Sequence, residues 1–383
     1  IFYHTTVGDN PQRMKDVLKT ALSRADLVIT TGGLGPTQGD MTKIIGAELM
    51  NRPLIYDQAI ADSVQAWVTA HHGTVTMTEN QKRQAMIPEG AAIFDNEAGT
   101  APGVAMQGGG KNLVHLPGPP SEMRWMYENR LKPWLLKTFG SQGSIRSLYI
   151  KIYDMGEAFI EERLMDLVKD QSNPTLAMYA RPGFVEVRLT ARADSEEQAE
   201  ALLEPLEEEV RSRLNDQIVS FNDETMADVL GREVRQAGYI VSAAESCTGG
   251  LIGSLITDIP GASDYFRGSA GTYCNEMKEK LLGVSHETLE RYTAVSAETA
   301  AEMADGSRRL YGSDIAVSTT GIAGPGGGTE EQPVGLVYTG VSGPWGTLVH
   351  RDVYHGGRAE IKRRAAVRAI YYVVRYLVNH KNK

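Results

Sequence analysis

Two strand-like apolar runs pass without a linker into glycine-rich turns, and this constrains the fold more than any other feature. Asp26-Leu-Val-Ile-Thr30 runs into Thr30-Thr-Gly-Gly-Leu-Gly-Pro-Thr37, and Tyr239-Ile-Val-Ser-Ala-Ala244 runs into Ser246-Cys-Thr-Gly-Gly250. A strand, a glycine turn and a helix make the α/β unit, whose ligands bind at the carboxyl ends of parallel strands. The 40 glycines of the 383 residues exceed one in ten, against an average of about 7%. They fall in short runs, which suits tight turns around ligands rather than a flexible linker.

At roughly 150 residues per domain, the length gives two or three domains. From Phe2 to about Lys137 the pattern is α/β: Met14, Val17, Leu18, Ala21 and Leu22 recur at helical spacing, and a second strand-like run, Leu113-Val-His-Leu116, ends in Pro117-Gly-Pro-Pro120. From Ser144 to Asn222, Ser147–Tyr153 and Phe184–Thr190 alternate as half-buried strands, and Glu157–Val168 and Glu196–Leu214 read as helices. The second helix carries Leu202, Leu203, Leu206, Val210 and Leu214 on one face and a solvated acidic face opposite. This small α+β module resembles a KH domain but lacks a Gly-x-x-Gly clamp, so RNA binding is not expected. From Asp223 onward the α/β rhythm returns, with a helix over Met226–Gln236 stopped by Gly238, a helix over Leu251–Thr257, strands over Asp314–Ser318 and Val334–Val341, and a last helix over Arg358–Asn379.

Composition narrows the partners. Thirty-nine Lys and Arg against 48 Asp and Glu give −9, which argues against nucleic-acid coating. No apolar stretch approaches the ~18 residues of a membrane span. Cys247 and Cys274 are the two cysteines, without a CxxC pair, which excludes a disulfide scaffold and a zinc ribbon and leads us to expect a reduced, cytoplasmic setting. The chain begins at Ile1 rather than Met, with no basic-then-apolar leader, and we expect its natural beginning to be missing.

Two loops carry candidate chemistry. Gly32, Gly33 and Gly35 let backbone N–H groups approach an anion, and Asp40 nearby is a candidate for holding a metal or positioning a water; the alternative is a tight structural turn. Ser246 follows a buried strand at a helix start, where oriented N–H groups stabilise an oxyanion, but a serine needs a base. None of the eight histidines lies in a Gly-rich turn. Lys278, in Gly271-Thr-Tyr-Cys-Asn-Glu-Met-Lys278, becomes a base if desolvation keeps its amine neutral; the alternative is a solvated charge. Tyr273 is a donor to substrate or an orienting group. Cys247 and Cys274 are rival nucleophiles, although small neighbours favour buried structural roles for both. Gly321, Gly324, Gly326 and Gly327 suit a phosphate or ribose. Residues 351–383 hold nine Lys and Arg against two Asp and Glu, a net of +7; Arg358 beside Gly356-Gly357 is the candidate phosphate contact.

The first motif, with Asp40 and Thr42, resembles the molybdopterin-binding fold of molybdenum-cofactor biosynthesis proteins. Leu116-Pro-Gly-Pro-Pro-Ser-Glu-Met123 narrows the resemblance to the CinA family of competence/damage-inducible proteins. It implies a three-layer α/β domain over residues 1–140, a KH-like linker domain over 144–222 and a three-layer α/β deamidase domain over 223–383. In the first domain it implies metal-dependent hydrolysis of ADP-ribose, with Gly32, Gly33, Gly35, Thr37, Asp40, Pro117, Gly118 and Ser121 at the nucleotide and Asp40 as ligand to a divalent metal. Gly39 and Ile44 stand where the family has further acidic residues, and the family carries a Gly-Thr-Glu phosphate loop ahead of residue 1.

Ala244-Glu-Ser-Cys-Thr-Gly-Gly250, the Lys278 segment, Thr320-Gly-Ile-Ala-Gly-Pro-Gly-Gly-Gly328 and Pro333-Val-Gly335 resemble the nicotinamide mononucleotide deamidase domain of that family. The resemblance implies a cofactor-free Ser–Lys amidase with Ser246, Lys278 and Tyr273 catalytic. Glu245, Thr248, Gly249, Thr320, Gly321, Ala323, Gly324 and Arg358 are the expected substrate contacts. It implies a homodimer; from the composition and patterning above, no membrane or nucleic-acid partner is expected. The competence name leaves a non-enzymatic partner-binding role as an alternative.

Overall fold

The computed structural model describes residues 3–73, 75–140, 143–169, 171–181 and 183–380. Ile1, Phe2, Lys381 and Lys383, used above for the first region and the basic tail, lie outside the described residues. The chain forms two compact units, Ile1–Gln142 and Gly143–Lys383, so the second and third sequence regions share one unit.

In the first unit, the Leu27–Thr31 strand lies parallel to Lys111–Leu116, which pairs antiparallel with Gly103–Gly108 and, beyond it, Ala92–Phe94. Asn10 caps the Pro11–Arg24 helix by accepting from Arg13 N at 3.0 Å, satisfying one of the N–H groups left free at a helix start. That helix buries Met14 and Leu18 against Ile45, Met106 and Leu113.

The second unit holds two sheets. The antiparallel sheet orders Ile218–Phe221, Ser144–Ile152, Phe184–Ala193 and Thr175–Arg181. Val185, Val187, Leu189 and Ala191 alternate inward and pack against Ile160 and Leu164 of the Glu157–Lys169 helix and Leu203 and Val210 of Glu196–Leu214. Leu202 does not join them: it is 39% exposed, because Leu203, Val210 and Leu214 at spacings of seven and four define the inward line and a neighbour one residue off is turned about 100° away.

The other sheet orders Phe266–Gly271, Val241–Glu245, Ile315–Gly321, Leu336–Gly343 and Gly346–Val353. The first three run parallel and the last two antiparallel. One face is covered by Met226–Ala237, Leu251–Thr257 and Arg358–Val378, through Leu230, Ile252, Ala369, Ile370 and Val373. The other face is covered by Asn275–Leu282 and Ala297–Tyr311, through Leu282 and Met303 against Ala244 and Ala270. The result is three layers. Ile361, Ala365, Ala369, Ile370 and Val373, expected as the buried side of the last helix, are all buried. The two sheets of this unit meet where Tyr153 stacks between Phe184, at 5.2 Å, and Tyr371, at 5.5 Å, and Arg368 pairs with Asp154. No helix among the described residues is long and apolar enough to cross a membrane.

Three parallel strands ending side by side bring three loops together: the turn after Glu245, the turn after Gly271 and the glycine-rich stretch after Gly321.

Candidate active site

Ser246 is the first residue beyond its strand, held there because its N–H donates to Thr319 O on the neighbouring strand at 3.0 Å. Lys278 comes from the first turns of the Asn275–Leu282 helix and is 1% exposed. Its Nζ lies 3.1 Å from Ser246 Oγ and 2.9 Å from Thr272 O. Both partners are neutral. Burial therefore holds the lysine below the ordinary range of its amine, with Cys274 and Cys247 opposing weakly. The neutral form carries a lone pair that can take the serine proton.

The helix start does not supply the oxyanion donors in the way the sequence suggested. The helix runs over Leu251–Thr257, and its opening N–H groups are already occupied. Glu245, fully buried, accepts from Gly250 N at 2.9 Å, Ile252 N at 3.0 Å and Gly253 N at 2.9 Å, and from Ser269 Oγ at 2.8 Å. Glu245 is therefore a turn-locking carboxylate and not a substrate contact: a buried anion here is matched by helix-end N–H groups. The N–H groups of Thr248 and Gly249 make no hydrogen bond among the described residues, and this turn is where an oxyanion would be met. Thr248 is also withdrawn from substrate, its Oγ1 sharing a hydrogen bond with Thr319 Oγ1 at 2.8 Å in the interior.

A cleft of about 240 Å³ opens beside Ser246 and Lys278, lined also by Cys247, Tyr273, Asn275, Ala294, Val295, Thr320, Gly321, Ala323 and Arg358. Arg358, the first residue of the last helix, donates to Gly324 O and to Tyr273 Oη, each at 2.7 Å. It ties the glycine loop to the lysine loop across the cleft mouth. Tyr273 is 65% exposed, so it stands at the rim. The glycines answer first to packing: a Cβ at Gly321 would sit 2.5 Å from Leu336 O, and one at Gly324 would sit 2.5 Å from Val334 Cγ1. Cys247 is buried and its thiol is pushed up to about 12 by desolvation, which leaves it a poor nucleophile. Cys274 corrects the expectation of a buried role: it is exposed, because it caps the lysine helix from outside, its carbonyl accepting Lys278 N at 3.2 Å.

Residues 223–377 match the family model described as "CinA C-terminal domain", residues 147–220 "Damage-inducible protein CinA KH domain" and residues 1–137 "Probable molybdopterin binding domain". A "CinA-like protein" of Dictyoglomus thermophilum is 42% identical over 380 residues, covering 99% of this chain and 91% of the relative. The chain belongs to the CinA family. Another CinA-like protein, from Kosmotoga olearia, is 41% identical over 378 residues, 99% of this chain and 91% of its own. The solved structure of a competence/damage inducible protein, CihA from Agrobacterium tumefaciens, is 40% identical and covers 40% of this chain and 93% of its own, with a TM-score of 0.39.

In this CinA-family chain the N-terminal motif loops also meet. Parallel pairing sets Gly32 N 2.9 Å from Leu116 O, and a Cβ at Gly118 would lie 3.3 Å from Gly32 Cα. Gly33 has φ +70° and would drive a Cβ to 2.0 Å from Thr42 Oγ1. Pro117 is buried, while Ser121 is exposed in the first turn of the Pro120–Met126 helix. Asp40 is committed locally: its Oδ2 accepts from Thr37 N at 2.9 Å and Thr37 Oγ1 at 2.6 Å, and Gly35 packs against it so closely that a Cβ would fall at 2.7 Å. Among the described residues no three His, Cys, Asp or Glu side chains converge as a metal site, and this donor set does not fit a resident divalent metal.

Sequence reading missed Asn275, Ala294 and Val295 as cleft walls. Asn275 had a signal: three residues before Lys278, it shares that lysine's helix face. Ala294 and Val295 had none, since they reach the cleft only through the packing of the Ala297–Tyr311 helix.

Proposed function

We propose that this CinA-family chain is an amidohydrolase that converts nicotinamide mononucleotide to nicotinate mononucleotide and ammonia. The observation that carries the reading is a buried lysine amine in contact with a serine hydroxyl at the wall of a cleft, with no carboxylate among its hydrogen-bond partners. Lys278, neutral, takes the proton as Ser246 Oγ attacks the carboxamide carbon. The N–H groups of the Cys247–Gly249 turn receive the oxyanion. The lysine returns the proton to the departing nitrogen, ammonia leaves, and water cleaves the acyl-enzyme with Lys278 again as base. Arg358 meets the phosphate, a planar fork suited to that group.

Under this reading the enzyme works in the cytoplasm as a homodimer, without a metal and without a nucleic-acid or membrane partner. Metal-dependent hydrolysis of ADP-ribose in the first unit lacks comparable support, because among the described residues no three His, Cys, Asp or Glu side chains converge with Asp40. Ammonia release from nicotinamide mononucleotide, measured for the wild type and for Ser246→Ala, tests the proposal. Release by the wild type alone is expected. Full activity in Ser246→Ala, or none in the wild type, rejects it.

A further inference from the structure

Asn275 stands out among the cleft walls because none of the described residues uses its side chain. It lines the cleft with Ser246 and Lys278, is exposed, and among the described residues no hydrogen bond involves its carboxamide. By contrast, Thr320 Oγ1 is held by Ala294 O, the Tyr273 hydroxyl by Arg358 and the Thr272 carbonyl by Lys278. Asn275 thus brings a free amide group, with an acceptor and two donors, to the reacting end of the cleft.

Its place on the helix says which part of a substrate it meets. Asn275 and Lys278 are three residues apart on one helix and project from the same face. Lys278 must reach the departing nitrogen to return its proton, so that nitrogen lies on the side of this helix, while the oxyanion lies toward the Cys247–Gly249 turn. We infer that Asn275 is the specificity-determining residue for the amide: its Oδ1 accepts an N–H of the substrate carboxamide. An ester offers no such donor. This deepens the amidase proposal and rests on it.

The test uses the full chain with two probes, nicotinamide mononucleotide and the methyl ester of nicotinate mononucleotide. kcat/KM is measured for each with the wild type, Asn275→Ala and Asn275→Asp. In Asn275→Ala the preference for amide over ester is expected to fall on the order of 10-fold, the worth of one lost hydrogen bond, while ester hydrolysis persists. Asn275→Asp keeps the acceptor and is expected to keep the preference, with its pH profile moved up because a carboxylate near Lys278 favours the ammonium form. An unchanged preference in Asn275→Ala, or an equal loss in Asn275→Asp, overturns the inference alone. A wild type that cleaves the ester and leaves the amide intact overturns the amidase reading and this inference together. A wild type inactive on both probes overturns the amidase reading and this inference with it.

Discussion

Lys278 Nζ and Ser246 Oγ, 32 residues apart in the chain, lie 3.1 Å from each other inside the C-terminal unit. The lysine is desolvated with only neutral partners, so its charge would be costly where it sits. Lys278→Met is accordingly expected to abolish ammonia release, on the order of 10³-fold or more. The same change should leave the fold intact and raise the melting temperature by about 2–4 °C, the effect of about 1 kcal/mol in a domain of this size. Calorimetry beside the activity assay checks both; loss of activity through unfolding would contradict the assignment.

The lowered lysine sets the pH response. Burial favours the neutral amine in the folded state, so the active form should accumulate as pH rises through a value below the ordinary 10.5. kcat/KM should climb with pH along one limb of slope near one, below that value. Between that lowered value and 10.5 the unfolded chain keeps a proton that the folded chain has lost, so stability rises with pH over this higher interval. A kcat/KM profile that falls with pH below the lowered value would point to a different base.

Glu245 offers a test of the turn. Its carboxylate satisfies three backbone N–H groups and Ser269 Oγ, and Glu245→Ala removes the acceptor from all of them, with Ile252 N left buried. A loss of about 3 kcal/mol or more is expected, read by denaturant titration. Glu245→Gln, which keeps one acceptor oxygen and turns an NH2 toward the other pair of donors, should lose less stability than Glu245→Ala. Both should lower kcat more than they raise KM, because the turn presents Ser246.

Arg358 spans the cleft mouth between Gly324 O and Tyr273 Oη. Arg358→Ala is expected to raise KM for nicotinamide mononucleotide by about 10- to 100-fold, the range of a charge-assisted contact. Hydrolysis of nicotinamide riboside, which lacks the phosphate, should change much less. Equal losses on the two compounds would remove Arg358 from the phosphate.

In the first unit, His115 is fully buried against Thr30 Oγ1 at 2.6 Å. Desolvation, aided by Lys43, holds its pKa down at about 3. Below the ordinary value of 6.5 the unfolded chain takes up a proton that the folded chain refuses. Stability of this unit should fall as pH drops from 6.5 toward 3, by up to about 1.4 kcal/mol per pH unit from this residue. His115→Gln should flatten that slope in an acid-unfolding titration.

Periodicity and turn chemistry are local, and they were legible in the chain itself. The Met226–Ala237 helix, capped by Thr225 with Asp228 and stopped by Gly238 at φ +70°, follows from neighbours within four residues. So does the run from the Val241–Glu245 strand into its glycine turn. Lys278 and Ser246 could be named because each sits in a short segment with its own motif. What each side chain then does depends on residues far along the chain. Glu245 looked like part of a binding motif, but the fold turned it beneath the Leu251–Thr257 helix to meet Ser269 from the next strand. Leu202 was expected on a buried face, and the facing sheet decided which line of that helix turned inward. Sequence determined which chemistry was present, since residue type and spacing are properties of the chain. Tertiary structure decided which groups are free to act, since desolvation and hydrogen-bond partners arise only when separate strands and helices pack together.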